Sequence, residues 1–131
     1  MPDKPSQPLS QEKRRHLRAE QSVPLKISCD HCDILTETKN ISCSGAYCRV
    51  SRRLEPMTKL KIHLLLPLRK SDKVTTKKIA CQGVVVRTQA VSGQEYYDTA
   101  IFFSDIAPKD SLTINEFVES VLGSNNHGKL N

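Results

Sequence analysis

A chain of 131 residues, 37% hydrophobic and 26% charged, has the size and balance of one globular domain around one core. No apolar run reaches the ~18 residues of a membrane span. The N-terminal stretch MPDKPSQPLSQEK lacks the apolar segment of a secretory signal, so the expected location is the cytoplasm. Twenty Lys and Arg against fourteen Asp and Glu leave a net charge of +6, which permits an anionic partner without naming one.

Residues 1–11, with Pro2, Pro5 and Pro8 among polar side chains, read as a flexible tail. The basic run EKRRHLR, residues 12–18, follows it. From there the pattern is strand-like. VPLKIS (23–28) alternates apolar and polar, ILTETKNI (34–41) does so more weakly, and GAYCRV (45–50) comes next. LKIHLLL (60–66) puts Leu60, Ile62, Leu64 and Leu66 on one strand face and His63 on the surface. RKSDKVTTKK (69–78) reads as a long basic loop. IACQGVVVRT (79–88) and EYYDTAIFF (95–103) are rich in β-branched and aromatic residues, as strands are. In TINEFVESVLG, Ile114, Phe117, Val118, Val121 and Leu122 recur at helical spacing. Thr113 and Glu116 form a capping box there, and Gly123 offers a stop. The order predicts about six short strands and one helix, which fits a small antiparallel barrel or two-layer β structure closed by a C-terminal helix. The expected divisions are a tail over 1–11, a domain over 12–122 and a second tail over 123–131.

Five cysteines without a secretory signal are expected to be reduced thiols. Cys29-Asp30-His31-Cys32 has the C-x-x-C spacing of a zinc ligand pair, and Cys43 and Cys48 follow as a possible second pair. Their wider spacing, an odd number apart on extended chain, sends them to opposite faces. A zinc-stabilised module is therefore an alternative, and small, partly buried thiols are the simpler reading. No enzymatic function is expected. His16, His31, His63 and His127 are scattered, and no Gly-rich phosphate loop is present.

Two short motifs carry chemistry. In RRHLR, Arg14 and Arg18 lie four apart, and both guanidinium groups reach one side if the segment is helical or tightly turned. Each fork of donors suits a phosphate or the acceptor edge of guanine. In NISCSG, Asn40 and Ser42 lie two apart near a strand end, where extended geometry aims them at one face. Asn40 both donates and accepts, the Ser42 hydroxyl suits a phosphate, and Gly45 permits close approach of backbone. Alone, the first motif is an ordinary solvated arm and the second an ordinary strand-to-turn junction.

Together, and in this order, Arg14-x-x-x-Arg18 and Asn40-x-Ser42-x-x-Gly45 resemble the signature of the PilZ domain family, bacterial receptors for cyclic di-GMP. The VVVR strand, the AIFF strand and the closing helix resemble that family too, over roughly residues 12–122. The resemblance implies a six-stranded antiparallel β-barrel with a C-terminal α-helix, whose mouth binds the dinucleotide. It implies that Arg14 and Arg18 grip guanine edges and phosphates, that Asn40, Ser42 and Gly45 contact the ligand from the barrel, and that Arg15 adds a phosphate or stacking contact. Lys13 and Arg87 are further candidates, and Arg87 reads equally as an exposed strand-end cation. Where many relatives have Gly-x-x-Phe, this chain has Ala100-Ile101-Phe102-Phe103, which implies slightly different barrel packing. No cofactor is implied beyond the ligand itself. The implied mechanism is an N-terminal arm that folds across the barrel mouth on binding, with output through a partner protein in trans. Motility and biofilm formation are the kinds of second-messenger output the family implies. The alternatives are a PilZ-like adaptor that docks proteins without ligand, and a basic barrel that binds nucleic acid. The second is weakened by 5% aromatic content and the lack of Trp, since base-stacking surfaces need aromatic faces.

Overall fold

The structure is a computed structural model that describes residues 17–130, and side chains there except at 70 and 124–130. Six strands, β1 (Pro24–Cys29), β2 (Cys32–Ser42), β3 (Gly45–Val50), β4 (Lys59–Lys70), β5 (Lys73–Ala90) and β6 (Tyr97–Asp105), precede one helix, α1 (Pro108–Leu130). Every neighbouring pair is antiparallel, and the ring closes in the order β1-β2-β3-β6-β5-β4. Closure gives every strand two neighbours in the ring, while the far ends of β4 and β5, beyond the barrel, keep an unpaired edge.

The alternation read from the sequence sets the core. Leu60, Ile62, Leu64 and Leu66 are all buried, and they meet Leu25, Ile27, Ile79, Val85, Ile101 and Phe103 from neighbouring strands. Phe102, between two inward side chains, faces out. Ile114, Phe117 and Val118 of α1 are buried in the same cluster, and α1 lies against β2 and β4. Each buried side chain of this size contributes about 1.5–3 kcal/mol. None of the described helices is long and apolar enough to cross a membrane.

Three local readings are corrected. The helix begins at Pro108, five residues before Thr113, because proline suits the first helical position and Asp110 complements the positive helix start. Ala107 accepts backbone bonds from Asp110 and Ser111, while Thr113, inside the helix, donates its hydroxyl to Lys109 O at 2.9 Å. Gly123 does not stop the helix, which continues to Leu130. Residues 69–78 are not a loop. They extend β4 and β5 into a ribbon that turns at Ser71–Asp72, with Lys70 opposite Lys73.

The cysteine expectation also changes. Cys29 and Cys32 are direct cross-strand partners around the two-residue Asp30–His31 turn, with Cα atoms 5.5 Å apart, and their sulfurs are joined as a disulfide. The hairpin register, which C-x-x-C spacing does not reveal, brings them together. Cys43 follows the opposite end of β2, so it cannot complete a zinc set with them. Among the described residues no group of three or more His, Cys, Asp and Glu is placed to hold a metal.

Burial raises the Cys48 thiol to about 12, helped by Asp98, and burial with nearby Asp110 and Asp105 raises Cys81 to about 12. Against the ordinary 9.0, each then carries about a thousandfold less thiolate at mildly alkaline pH. Iodoacetamide at pH 8 is expected to label both residues slowly in the native protein and readily in urea. Peptide mapping of labelled cysteines checks this, and equal labelling in both states would remove the burial argument.

Candidate functional site

The first link between the two motifs is made by backbone. Ala19 and Ile41 exchange N–H···O bonds of 3.0 Å in both directions. Ala19 and Val23 are fully buried, so the segment after the Arg run docks on β2 despite the polar Glu20 and Gln21 between them. Thr38 completes the docking. It is buried, its hydroxyl donates to Gln21 O at 2.6 Å, and it accepts from Val23 N at 3.0 Å. This places Arg18 beside Asn40, and Arg18 Nη1 donates to Asn40 Oδ1 at 3.0 Å. A register shift between Thr38 and Asn40 accompanies the contact. A bulge changes the inward–outward phase, so that Thr38 and Ile41 both point into the core while Asn40 remains half-exposed.

Ser42 is placed differently from what strand alternation implied. Ser42 is fully buried. Its Oγ lies 3.0 Å from Ser44 Oγ, accepts from Ser44 N at 3.2 Å and reaches Gly45 O at 3.5 Å, so the hydroxyl organises the β2–β3 turn. Gly45 is buried at the start of β3, opposite Phe102 of β6. A Cβ there would stand 2.2 Å from Ile101 O and 3.3 Å from Phe102 Cα. The glycine is therefore required where β3 meets β6, whatever else it touches.

Register adds what spacing could not. Asn40 pairs with Tyr47, Tyr47 with Ala100, and Ala100 with Arg87. These four residues form one lateral row across β2, β3, β6 and β5. Arg87 follows a register shift in β5, is exposed, and donates through Nη2 to Gln89 Oε1 at 3.2 Å. Tyr47 was not singled out in the sequence. Its place two residues after Gly45 was visible, but its neighbours were not. The Tyr47 hydroxyl donates to Asp98, and Arg49 Nε donates to Asp98 Oδ1 at 2.9 Å, so the ring is held from its far end. Arg14, Arg15 and Lys13 lie outside the described residues.

The Arg49 hydrogen bond holds the Asp98 carboxyl below its ordinary 3.8, with Arg49 and Lys39 charges adding to the effect. A depressed carboxylate stabilises the fold above its unfolded pKa, and that stability is lost as pH falls through the lower folded value. Asp98→Asn is therefore expected to lower the melting temperature at pH 7, with the gap from the parent closing below about pH 4. Melting curves across pH check this, and a gap that persists unchanged at low pH would show that the ion pair is not its origin.

A profile of the PilZ domain matches residues 12–120. No curated protein matches. Among solved structures, the inhibitor of motility MotI/DgrA of Bacillus subtilis superposes with a TM-score of 0.70 at 20% identity, over 79% of this chain. This chain spans 48% of that protein's length. The PilZ domain of YcgR from Escherichia coli, determined with c-di-GMP, superposes with a TM-score of 0.61 at 9% identity, over 89% of this chain and 97% of that one. Both likenesses are of fold. With a profile that spans the whole barrel and the first part of the helix, and with a closed six-stranded ring, the chain belongs to the PilZ domain family.

Proposed function

We propose that this chain is a cyclic di-GMP receptor that signals as an adaptor to a partner protein. The observation that carries the reading is the Arg18–Asn40 hydrogen bond, which unites two motifs 22 residues apart on one surface. Arg18 keeps further guanidinium donors for a phosphate or guanine edge, and Asn40 keeps its amide donors. The half-exposed Tyr47 ring and Arg87 extend the surface along the same row and offer faces for a guanine base. Arg14, Arg15 and Lys13 would bring charge from the preceding arm. Ser42 and Gly45 serve this site by shaping the turn beneath it. The backbone bonds at Ala19 confine any rearrangement on binding to the arm before Leu17. MotI is by name an inhibitor of motility, and control of motility or biofilm formation in the cytoplasm is the corresponding reading here.

Isothermal titration with cyclic di-GMP at physiological salt tests the reading. Saturable binding, one or two dinucleotides per chain, is expected. No binding to the full chain would overturn it, as would affinity that grows with the length of a competing oligonucleotide. The disulfide lies eight residues along β2 from Asn40, roughly 25 Å of extended strand. Reduction with dithiothreitol is therefore expected to leave the titrated affinity unchanged, and an altered affinity would show that the two barrel ends are coupled.

A further inference from the structure

The charge of this chain is unevenly placed. Within residues 69–78, Arg69, Lys70, Lys73, Lys77 and Lys78 face one acid, Asp72, so +4 of the net +6 lies in ten residues. These residues form the ribbon. β1 covers β4 only from Lys61 to Leu64, and β6 covers β5 only from Gln82 onward, so residues 65–70 and 73–78 pair only with each other. Every residue from Lys73 to Lys78 is exposed.

The outward face of this ribbon continues into a cleft. Leu65 pairs with Lys78, and Arg69 with Val74, on the side opposite the buried Leu66 and Ile79. At the ribbon base a cleft of about 520 Å³ opens between β1, β2, β4 and β5, with Leu35, Leu65, Lys26 and Lys78 in its lining. Leu35 is 79% exposed and Val74 is 59% exposed, unusual for large apolar side chains set among cations on a sheet face. Among the described residues neither Arg69 nor Lys78 has an acidic partner.

We propose that this face docks an acidic segment of a partner protein that carries spaced apolar side chains. The leucines and valine take the apolar groups, and Arg69 and Lys78 take the carboxylates, which steer and orient the segment. A nucleic-acid backbone has no use for a leucine-lined cleft, and no Phe, Tyr or Trp lines it for base stacking; His63 is the one ring in its lining. In the ring order, β1 and β4 lie across the barrel from β3 and β6, the centre of the Asn40–Arg87 row. Partner and dinucleotide therefore occupy opposite faces and do not compete.

Selection of random short peptides displayed on phage against the immobilised full chain tests this, followed by fluorescence anisotropy of the enriched peptides. Acidic peptides with spaced Leu, Ile or Phe are expected. Their affinity should fall by roughly tenfold or more in R69E/K78E and in L35S/L65S. Both variants should melt like the parent, and saturating cyclic di-GMP should displace nothing. Peptides without net negative charge, or peptides bound equally by both variants, would overturn the proposal. So would binding of oligothymidine or phosphatidylglycerol vesicles that needs Arg69 and Lys78 while no peptide does. Since the variants leave the dinucleotide row intact, failure here is separate from failure of the cyclic di-GMP titration.

Discussion

Replacing Arg18 by alanine is expected to weaken cyclic di-GMP binding by roughly 10- to 150-fold, the equivalent of the 1.5–3 kcal/mol of a charged hydrogen bond. Arg18 is the member of the Arg pair that the structure places. Its backbone neighbour Ala19 is bonded to Ile41 in both directions, and its side chain already rests on Asn40. Such anchoring lowers the rotamer entropy lost when a ligand binds, so removal costs both a contact and its preorganisation. The substitution leaves the buried Ala19, Val23 and Thr38 in place, and the melting temperature should therefore change little. Asn40→Ala should also weaken binding. The double variant should lose less than the sum of the two, because the residues share a bond. Isothermal titration of the four proteins decides it. Strictly additive losses would mean that Arg18 and Asn40 act separately, and an undiminished affinity in Arg18→Ala would place the ligand elsewhere.

Gly45→Ala is expected to destabilise the fold itself, by roughly 3 kcal/mol or more. The added carbon would meet a backbone oxygen, Ile101 O, at 2.2 Å, and a carbonyl in the middle of a paired strand cannot turn aside. Relief requires β3 and β6 to separate where Phe103 N bonds Ser44 O at 2.9 Å. Gly93→Ala is a useful contrast. Its φ of 73° imposes strain of roughly 1–2 kcal/mol, but nothing stands within 4 Å of the new carbon. Urea denaturation should show a midpoint loss of about 1–2 M for Gly45→Ala and clearly less for Gly93→Ala. Equal midpoints would refute the steric account. The comparison also bears on the motif: a Gly45 variant that fails to bind dinucleotide has first lost a strand pairing.

The Asn-x-Ser-x-x-Gly motif thus combines several roles. Asn40 faces the candidate ligand surface, Ser42 closes a turn, and Gly45 lets two strands approach. In the reading proposed above, Asn40 meets the ligand directly while Ser42 and Gly45 shape the platform beneath it. A motif read from sequence shows residue types at fixed spacing, and it cannot separate a residue that touches ligand from one that builds the platform under it.

Much of this protein was legible in the chain itself. The strand alternation of LKIHLLL and the helical spacing of Ile114, Phe117 and Val118 are local, so each element declares its buried face without its partners. The paired motifs, once united by resemblance, pointed to the PilZ family. Other features depend on pairing between segments distant in sequence. The ribbon over residues 69–78 was read as a loop because its polarity hides that β4 and β5 continue to bond beyond the barrel. The Cys29–Cys32 link, the bulge before Asn40, and the row from Asn40 through Tyr47 and Ala100 to Arg87 follow from strand register. Register is settled by the simultaneous fit of all six strands and the closure of the ring, which no single stretch of sequence encodes.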